Sequence, residues 1–295
     1  MPPGQSRSDA VDDRPARRFL SALYHEIERD NAFNGAAALA YYFTLAIFPA
    51  TIAVMALIPY LPIPEVDTAI MDLLRQALPS SAASMFADVV RTITTERRGG
   101  LLSLGLVGML WAASTGMYAV MRQMNIAYNV EERRPFLRAR ATALGLTLLF
   151  VVLVIGAFSL VVLGGVIQDW LGRRFGFSEP LLLLFIVFRW LVIVAGLLVA
   201  LAIIFYAAPN RRQRFALLSP GSVTSAALLI LASLAFKVYA TNFARYDATY
   251  GSIGAVVVLM LWLYLAGLVI IVGAEINAVI ERHDREGSWE LTKRT

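Results

Sequence analysis

Six long apolar segments constrain what this chain can fold into. A helix needs about 20 mostly apolar residues to cross the hydrocarbon core of a bilayer. Only 16% of the 295 residues are charged, against about a quarter in soluble domains. The sequence therefore predicts an all-α, polytopic membrane protein with one six-helix membrane domain over residues 16–283. The predicted spans are 35–60, 101–120, 141–167, 181–207, 217–239 and 251–280.

The distribution of lysine and arginine predicts the orientation of the spans. If the N-terminus is cytoplasmic, the inner segments carry 17 of these residues and the outer loops carry 7. Cytoplasmic loops of membrane proteins are enriched in positive charge, so both termini are expected in the cytoplasm. Residues 1–15 and 284–295 are predicted to be flexible tails, and no short apolar stretch with a cleavage site indicates a removed signal peptide.

Two segments outside the spans have amphipathic patterns. Residues 16–30 predict a helix that lies on the inner membrane surface. The outer loop 62–100 predicts a helical hairpin broken at Pro79, which either packs over the spans or acts as a gate. The apolar face of the N-terminal helix is formed by Phe19, Leu20, Leu23, Tyr24 and Ile27.

Arg189 is the most informative polar residue within a span. It lies eight residues after Leu181, which at 1.5 Å per residue places it about 12 Å below the outer boundary and near the membrane midplane. A charge at that depth needs a partner or a path to water. Either backbone carbonyls, tyrosines or water satisfy Arg189, or it binds an anionic substrate such as a phosphate headgroup.

Two further charged residues lie near the ends of spans. Lys237, close to the outer end of its span, is expected to be an anchor that reaches the interface. Glu275 is expected near the inner surface, within reach of Arg122 or Arg282. It is either a member of a structural ion pair or a proton carrier.

Proline and glycine mark special positions in the spans. Pro49 lies near the middle of the first span, where it should kink or open the helix, and such interruptions can form transport sites. Glycines recur in the third and sixth spans and favour close helix packing. They are Gly145, Gly156, Gly164, Gly165, Gly251, Gly254, Gly267 and Gly273.

The sequence lacks the motifs that are typical of several classes of enzyme and binding protein. The chain has no cysteine and only two histidines, and it contains no phosphate-binding loop, zinc-protease motif or nucleophile elbow. No enzyme, cofactor or metal site is therefore predicted. The net charge of +5 is not arranged as a basic stripe interleaved with aromatics, so a nucleic-acid partner is not expected.

Three stretches resemble a known family. AALAYYFTLAIFPATIAVMALI, the segment ending in MRQMNIAYNV, and YGSIGAVVVLMLWLYLAGLVIIVGAEINAV are similar to the YihY/BrkB family of bacterial inner-membrane proteins, whose members were formerly mislabelled as ribonuclease BN. The resemblance covers about residues 33–279, although Ala46 stands where a serine is expected. It implies a protein of the bacterial inner membrane that handles envelope lipids.

The sequence thus leads to three functional hypotheses. The first is a transporter or flippase-like protein for an anionic lipid or lipid-linked envelope substrate, with membrane lipids as partners and a homo-oligomer or envelope proteins as further partners. The second is a non-transporting scaffold for envelope assembly, and the third, more distant, is a ribonuclease. The candidate residues of a substrate path are Arg189, Tyr41, Tyr42, Pro49, Asn125, Lys237, Tyr239, Tyr250, Gly251, Glu275 and Asn277.

The stretch from Tyr239 to Gly251 is the most recognisable part of the resemblance. By depth, Asn242, Arg245 and Asp247 lie in a short outer loop, where an arginine and an aspartate can pair in water at little cost. Gly251 is expected to permit a tight turn into the last span. The stretch is therefore interpreted as the outer mouth of a path whose charged centre is Arg189.

Overall fold

The protein is all-helical in a computed structural model that describes residues 15–57, 99–175, 179–243 and 247–292. Those ranges contain no strand. Their helices are α1 (Pro15–Arg29), α2 (Ala32–Leu57), α3 (Gly99–Ala127), α4 (Phe136–Phe175), α5 (Glu179–Ala207), α6 (Pro220–Phe243) and α7 (Asp247–Thr292).

Each predicted span corresponds to one of the helices α2 to α7. Four of these helices contain stretches that are long and apolar enough to cross a membrane: Phe136–Ala157, Pro180–Ala207, Pro220–Tyr239 and Val256–His283. The described apolar part of α2 is shorter, Ala32–Ile47. The fold is therefore that of a multi-pass membrane protein, while the number of six spans and the location of the termini stay predictions. The predicted hairpin lies outside the described residues, except that residues 99 and 100 begin α3.

The helices pack in antiparallel pairs, with α7 in contact with both α2 and α6. Gly221, at the start of α6, is so close to α7 that a Cβ atom there would collide with the carbonyl oxygen of Gly273. A Cβ atom on Gly267 would stand 3.3 Å from the Cβ of Leu39 in α2. Small residues thus allow close approach of α7 to its neighbours, as the glycine pattern predicts for this helix.

The buried core lies at one end of the bundle, formed by the starts of α2, α4 and α6 and the ends of α3, α5 and α7. We refer to this region as the core end; by the predicted orientation it is the cytoplasmic end. Towards the other end, α5 exposes most of its large apolar side chains, as expected of a helix that faces lipid. Core residues include Ala36, Leu39, Val120, Met121, Met124, Leu201, Ile204, Phe205, Ile271 and Ala274.

The first helix contacts the core end along one side only. Ile27 packs against the buried core and Glu26 is buried, whereas Leu20 and Tyr24 are exposed. A helix with apolar residues left exposed beside a membrane bundle is suited to the interface. Its predicted position on the inner membrane surface stays a prediction.

Helix α2 runs through Pro49 to Leu57 as one helix, and the kink expected at Pro49 stays a prediction. Two other expectations about local geometry differ from the structure. Helix α7 begins at Asp247, so Gly251 lies within a helix and not at a turn. A Cβ atom on Gly145 or Gly156 would meet nothing within 4 Å, so neither glycine serves helix packing within the described chain.

Candidate functional site

Three carboxylates meet where α1 contacts α7. Glu26 and Asp30 lie at the end of α1, and Glu275 lies in α7. Each offers an oxygen that stands within 4.8 Å of the others. Glu275 has no exposed surface and Glu26 is buried. We call these three residues the carboxylate cluster.

Two arginines border the carboxylate cluster. Arg29 donates from Nη1 to Oε1 of Glu26 over 3.1 Å and from Nε to Oδ1 of Asp30 over 2.9 Å. Arg282 donates from Nη1 to the same Oε1 of Glu26 over 2.8 Å. The hydrogen bond to Asp30 raises the pKa of Arg29, so its guanidinium stays charged. These bonds attach α1 to α7.

Glu275 forms no hydrogen bond with either of its carboxylate oxygens. The expected ion pair with Arg122 or Arg282 is absent from the described residues. Arg282 is instead bonded to Glu26, and Arg122 is exposed. The structure therefore does not support the interpretation of Glu275 as a member of a structural ion pair.

Asn125 joins three separate segments at the core end. Its Nδ2 donates to Oε2 of Glu132 over 2.9 Å, and its Oδ1 accepts from the backbone N–H of Asn210 over 2.7 Å. Arg134 donates from Nη2 to the carbonyl oxygen of Ala208 over 2.8 Å, which satisfies a backbone group just after α5. The Arg134 guanidinium, hydrogen-bonded to Glu132, lowers the pKa of that carboxyl.

Asn277 holds the start of α6 against α7. Its Oδ1 accepts from the backbone N–H of Gly221 over 2.7 Å, and its Nδ2 donates to Oγ of Ser219 over 3.1 Å. Ser219 caps α6, since its Oγ accepts from the N–H of Ser222, with Pro220 as the first helical residue. Asn125 and Asn277, both candidates for a substrate path, thus position helices.

An open cavity of about 650 Å³ lies beside these contacts. It is formed by the start of α4, the end of α5 and the following loop, and it has four arginines and no carboxylate in its lining. Arg134 and Arg211 are paired with Glu132 and Glu281. Arg138 and Arg212 have no ion pair with any described residue. We call this the arginine cavity; its lining comprises Arg134, Arg138, Thr142, Tyr206, Ala207, Pro209, Asn210, Arg211, Arg212 and Gln213.

Arg189 lies on α5, far from the arginine cavity. Its side chain crosses to α4, where a Cβ atom on Gly164 would collide with Cδ of Arg189. Its Nε is buried without a hydrogen-bond partner. The centre of the apolar stretch Pro180–Ala207 falls about 7 Å further along the helix. Arg189 is therefore displaced from the helix centre towards the predicted outer side.

The remaining candidates are not part of one site. Tyr41 and Tyr42 form an edge-to-face pair with ring centroids 5.6 Å apart, on the start of α2. Lys237 is exposed on α6, as expected of an anchor, and Tyr239 packs beside Phe236 with ring centroids 5.8 Å apart. The side chains of Pro49 and Tyr250 are outside what the structure describes, and Gly251 lies within α7.

The carboxylate cluster has no signal in the local sequence. Glu26 and Arg282 are 256 positions apart, and their meeting depends on how α1 docks against α7. A local cue does exist for the cavity, in the paired runs ERRPFLRAR and NRRQRF. Those runs are expected on one side of the membrane, but only the fold brings them together.

Comparisons with known proteins identify the family. Residues 23–294 match the family model "Virulence factor BrkB". The chain is 36% identical over 267 residues to the "Putative ribonuclease-like protein YfkH" of Bacillus subtilis, covering 90% of this chain and 96% of that protein. It is 24% identical over 284 residues to a "UPF0761 membrane protein" of Aeromonas salmonicida, covering 92% of each.

A further relative, a "UPF0761 membrane protein" of Alkalilimnicola ehrlichii, is 29% identical over 271 residues, covering 90% of this chain and 59% of that protein. No solved structure matches the chain significantly. The family model spans nearly the whole chain, and the relatives named as membrane proteins agree with its apolar helices. The chain belongs to the BrkB family of membrane proteins.

Proposed function

We propose that this chain is an inner-membrane transporter or flippase-like protein that moves an anionic lipid or a lipid-linked envelope substrate. The observation that carries the proposal is the arginine cavity, with four arginines and no carboxylate in its lining. Guanidinium groups bind phosphate through paired hydrogen bonds. Arg138 and Arg212, which have no ion pair among the described residues, are the groups available to a headgroup.

A fifth arginine supports a path along α5. Arg189 lies within the apolar stretch Pro180–Ala207 of that helix, about 26 Å from Tyr206 at the arginine cavity. Its buried Nε has no hydrogen-bond partner and would donate to a phosphate or carboxylate oxygen. With six spans and both termini in the cytoplasm, a headgroup would enter at the arginine cavity, pass Arg189 and leave beside the outer hairpin.

Reconstitution in proteoliposomes tests this proposal. Movement of a fluorescent anionic phospholipid between leaflets should be lost in Arg189→Leu and reduced at least about tenfold when Arg138 and Arg212 are both replaced by alanine. Arg133→Leu serves as the control, because Arg133 is exposed, pairs with Glu131 and is outside the cavity lining. Unchanged movement in Arg189→Leu and in the double variant would contradict the proposal.

Two other activities are outcomes of the same experiment. Protein that moves no lipid but copurifies with envelope-assembly proteins would favour a non-transporting scaffold, in which Asn125 and Asn277 serve rigidity. A ribonuclease would need an accessible metal site, whereas Glu275 has no exposed surface and arginines border the carboxylate cluster. RNA cleavage by highly purified protein that is lost in a single carboxylate variant would favour that alternative.

A further inference from the structure

Glu275 is the unsatisfied member of the carboxylate cluster. Both of its carboxylate oxygens are buried without a hydrogen-bond partner, whereas Glu26 pairs with Arg29 and Arg282 and Asp30 pairs with Arg29. A buried polar atom without a partner is costly, so the two unpartnered oxygens of Glu275 indicate a ligand beside them.

The spacing of the carboxylates fits a single ion. Two oxygens that bind a common ion at about 2.4 Å stand at most about 4.8 Å apart. One oxygen from each of Glu26, Asp30 and Glu275 meets that limit. Glu275 is the decisive member, because it has no exposed surface and neither of its oxygens accepts a hydrogen bond. Oxygen ligands of this kind suit a hard cation.

The charges around the carboxylate cluster indicate which cation fits. The charged groups that act on Glu275 are Asp30, Glu26, Arg282 and Arg29. A cation bound at Glu275 replaces the proton of that carboxyl, and three ionised carboxylates with two guanidinium groups then leave one net negative charge for the ion. A monovalent ion would neutralise it, whereas a divalent ion would leave a buried positive charge, which is unfavourable.

We infer that Glu26, Asp30 and Glu275 form a binding site for a small monovalent cation, and that the ion is Na⁺. The site joins α1 to α7 at the core end. It does not depend on lipid transport, and binding can be measured without any substrate. Loss of transport and loss of cation binding are therefore separate results.

Thermal unfolding of the full chain in detergent tests this inference. The melting temperature should rise by about 3–5 °C on replacing choline chloride with NaCl at the same ionic strength, because a ligand that binds only the folded state stabilises it. The rise should disappear in Glu275→Gln and in Asp30→Asn. It should persist in Glu281→Gln, which removes a carboxylate of α7 that pairs with Arg211 outside the cluster.

Direct binding of ²²Na⁺ to the purified protein gives the second readout, with about one ion per chain expected in the wild type and in Glu281→Gln. Asp30→Asn keeps the test decisive if Glu275→Gln fails to fold, since Asp30 follows the last residue of α1 and does not lie within a membrane helix. Absence of any Na⁺ response in the wild type, or an equal response in the cluster variants, would overturn the inference. Stabilisation by Mg²⁺ or Ca²⁺ alone would overturn the assignment of a monovalent ion.

Discussion

Glu275 and Arg189 are both charged residues on apolar helices, yet they lie in regions of opposite character. Glu275 is in the core end, where it has no exposed surface and two arginines and two carboxylates lie close by. Arg189 is on α5, whose neighbouring residues Phe188, Trp190 and Leu191 are exposed. One charge is held in a rigid polar cluster, and the other lies on a sparsely packed, lipid-facing helix.

This difference indicates different roles for the core end and for the part of α5 around Arg189. Hydrogen bonds between helices fix their positions, and Asn125 and Asn277 form such bonds at the core end. A helix with few protein contacts on its apolar surface is easier to displace. A path for a lipid therefore fits better along α5 and Arg189, and a bound ion fits better beside Glu275.

The largest expected effect comes from separating α6 and α7 at the core end. Gly221→Leu should lower the free energy of unfolding by roughly 3 kcal/mol, the upper range for an overpacked core. The reason is that its Cβ atom would collide with the carbonyl oxygen of Gly273 and the side chain of Asn277. Thermal unfolding in detergent measures the loss.

Gly145→Leu is the matched control for that variant. It introduces the same side chain into α4, where a Cβ atom would meet nothing within 4 Å. Its melting temperature should stay close to that of the wild type. Equal losses in the two variants would show that the core end is no more tightly packed than the rest of the bundle.

A smaller effect on stability distinguishes an arginine beside Glu275 from Arg189. Arg282→Leu should destabilise the protein by about 1–2 kcal/mol, because Glu26 and Glu275 would retain only Arg29. The usual cost of breaking a buried pair is reduced here, since Arg282 is partly exposed. Arg189→Leu should cost less than Arg282→Leu, because its buried Nε has no hydrogen bond to lose and leucine suits apolar surroundings.

Unfolding by heat or by sodium dodecyl sulfate, without guanidinium chloride, compares the stability of these two variants with that of the wild type. A loss in Arg189→Leu as large as that in Arg282→Leu would mean that Arg189 has a structural partner. The contrast between the two regions would then be wrong, and the role of Arg189 in a substrate path would lose its support.

The sequence predicts the helices of this fold better than its sites. The predicted spans 181–207 and 217–239 agree with α5 (Glu179–Ala207) and α6 (Pro220–Phe243) to within a few residues, because the length of an apolar run is a local property. Arg189 is recognisable for the same reason, as a charge inside such a run. The displaced start of α7, which places Gly251 within a helix, shows that turn positions are less well determined by local sequence.

The carboxylate cluster could not be predicted in this way. Glu26 belongs to an amphipathic helix rich in charge, and nothing in its neighbourhood indicates that it will be buried. Its burial follows from the docking of α1 on α7, and the closest approaches of α7 depend on the backbone contact at Gly221 and Gly273. These are properties of tertiary packing, which a local pattern does not contain.

The smallest expected effect concerns the polar network beside the arginine cavity, and it depends on pH. Because Arg134 lowers the pKa of Glu132 in the folded protein, ionised Glu132 stabilises the fold above the usual glutamate pKa of about 4.3. That contribution is lost as the pH falls through the lowered value. Glu132→Gln should therefore be less stable than the wild type at pH 7, by less than about 1 kcal/mol, and the difference should shrink at pH 4 and below.

Glu131→Gln distinguishes this network from ordinary surface charge. Glu131 pairs with Arg133, and both side chains are exposed, so its replacement should leave the melting temperature unchanged at every pH. Melting curves of both variants from pH 7 to pH 3.5 provide the comparison. A constant difference between Glu132→Gln and the wild type across that range would mean that Glu132 acts through its hydrogen bonds to Asn125 and Arg134 and not through its charge. In that case the hydrogen bonds of Glu132 would hold the core end together independently of pH. The arginine cavity would then keep its shape at every pH at which the protein is folded.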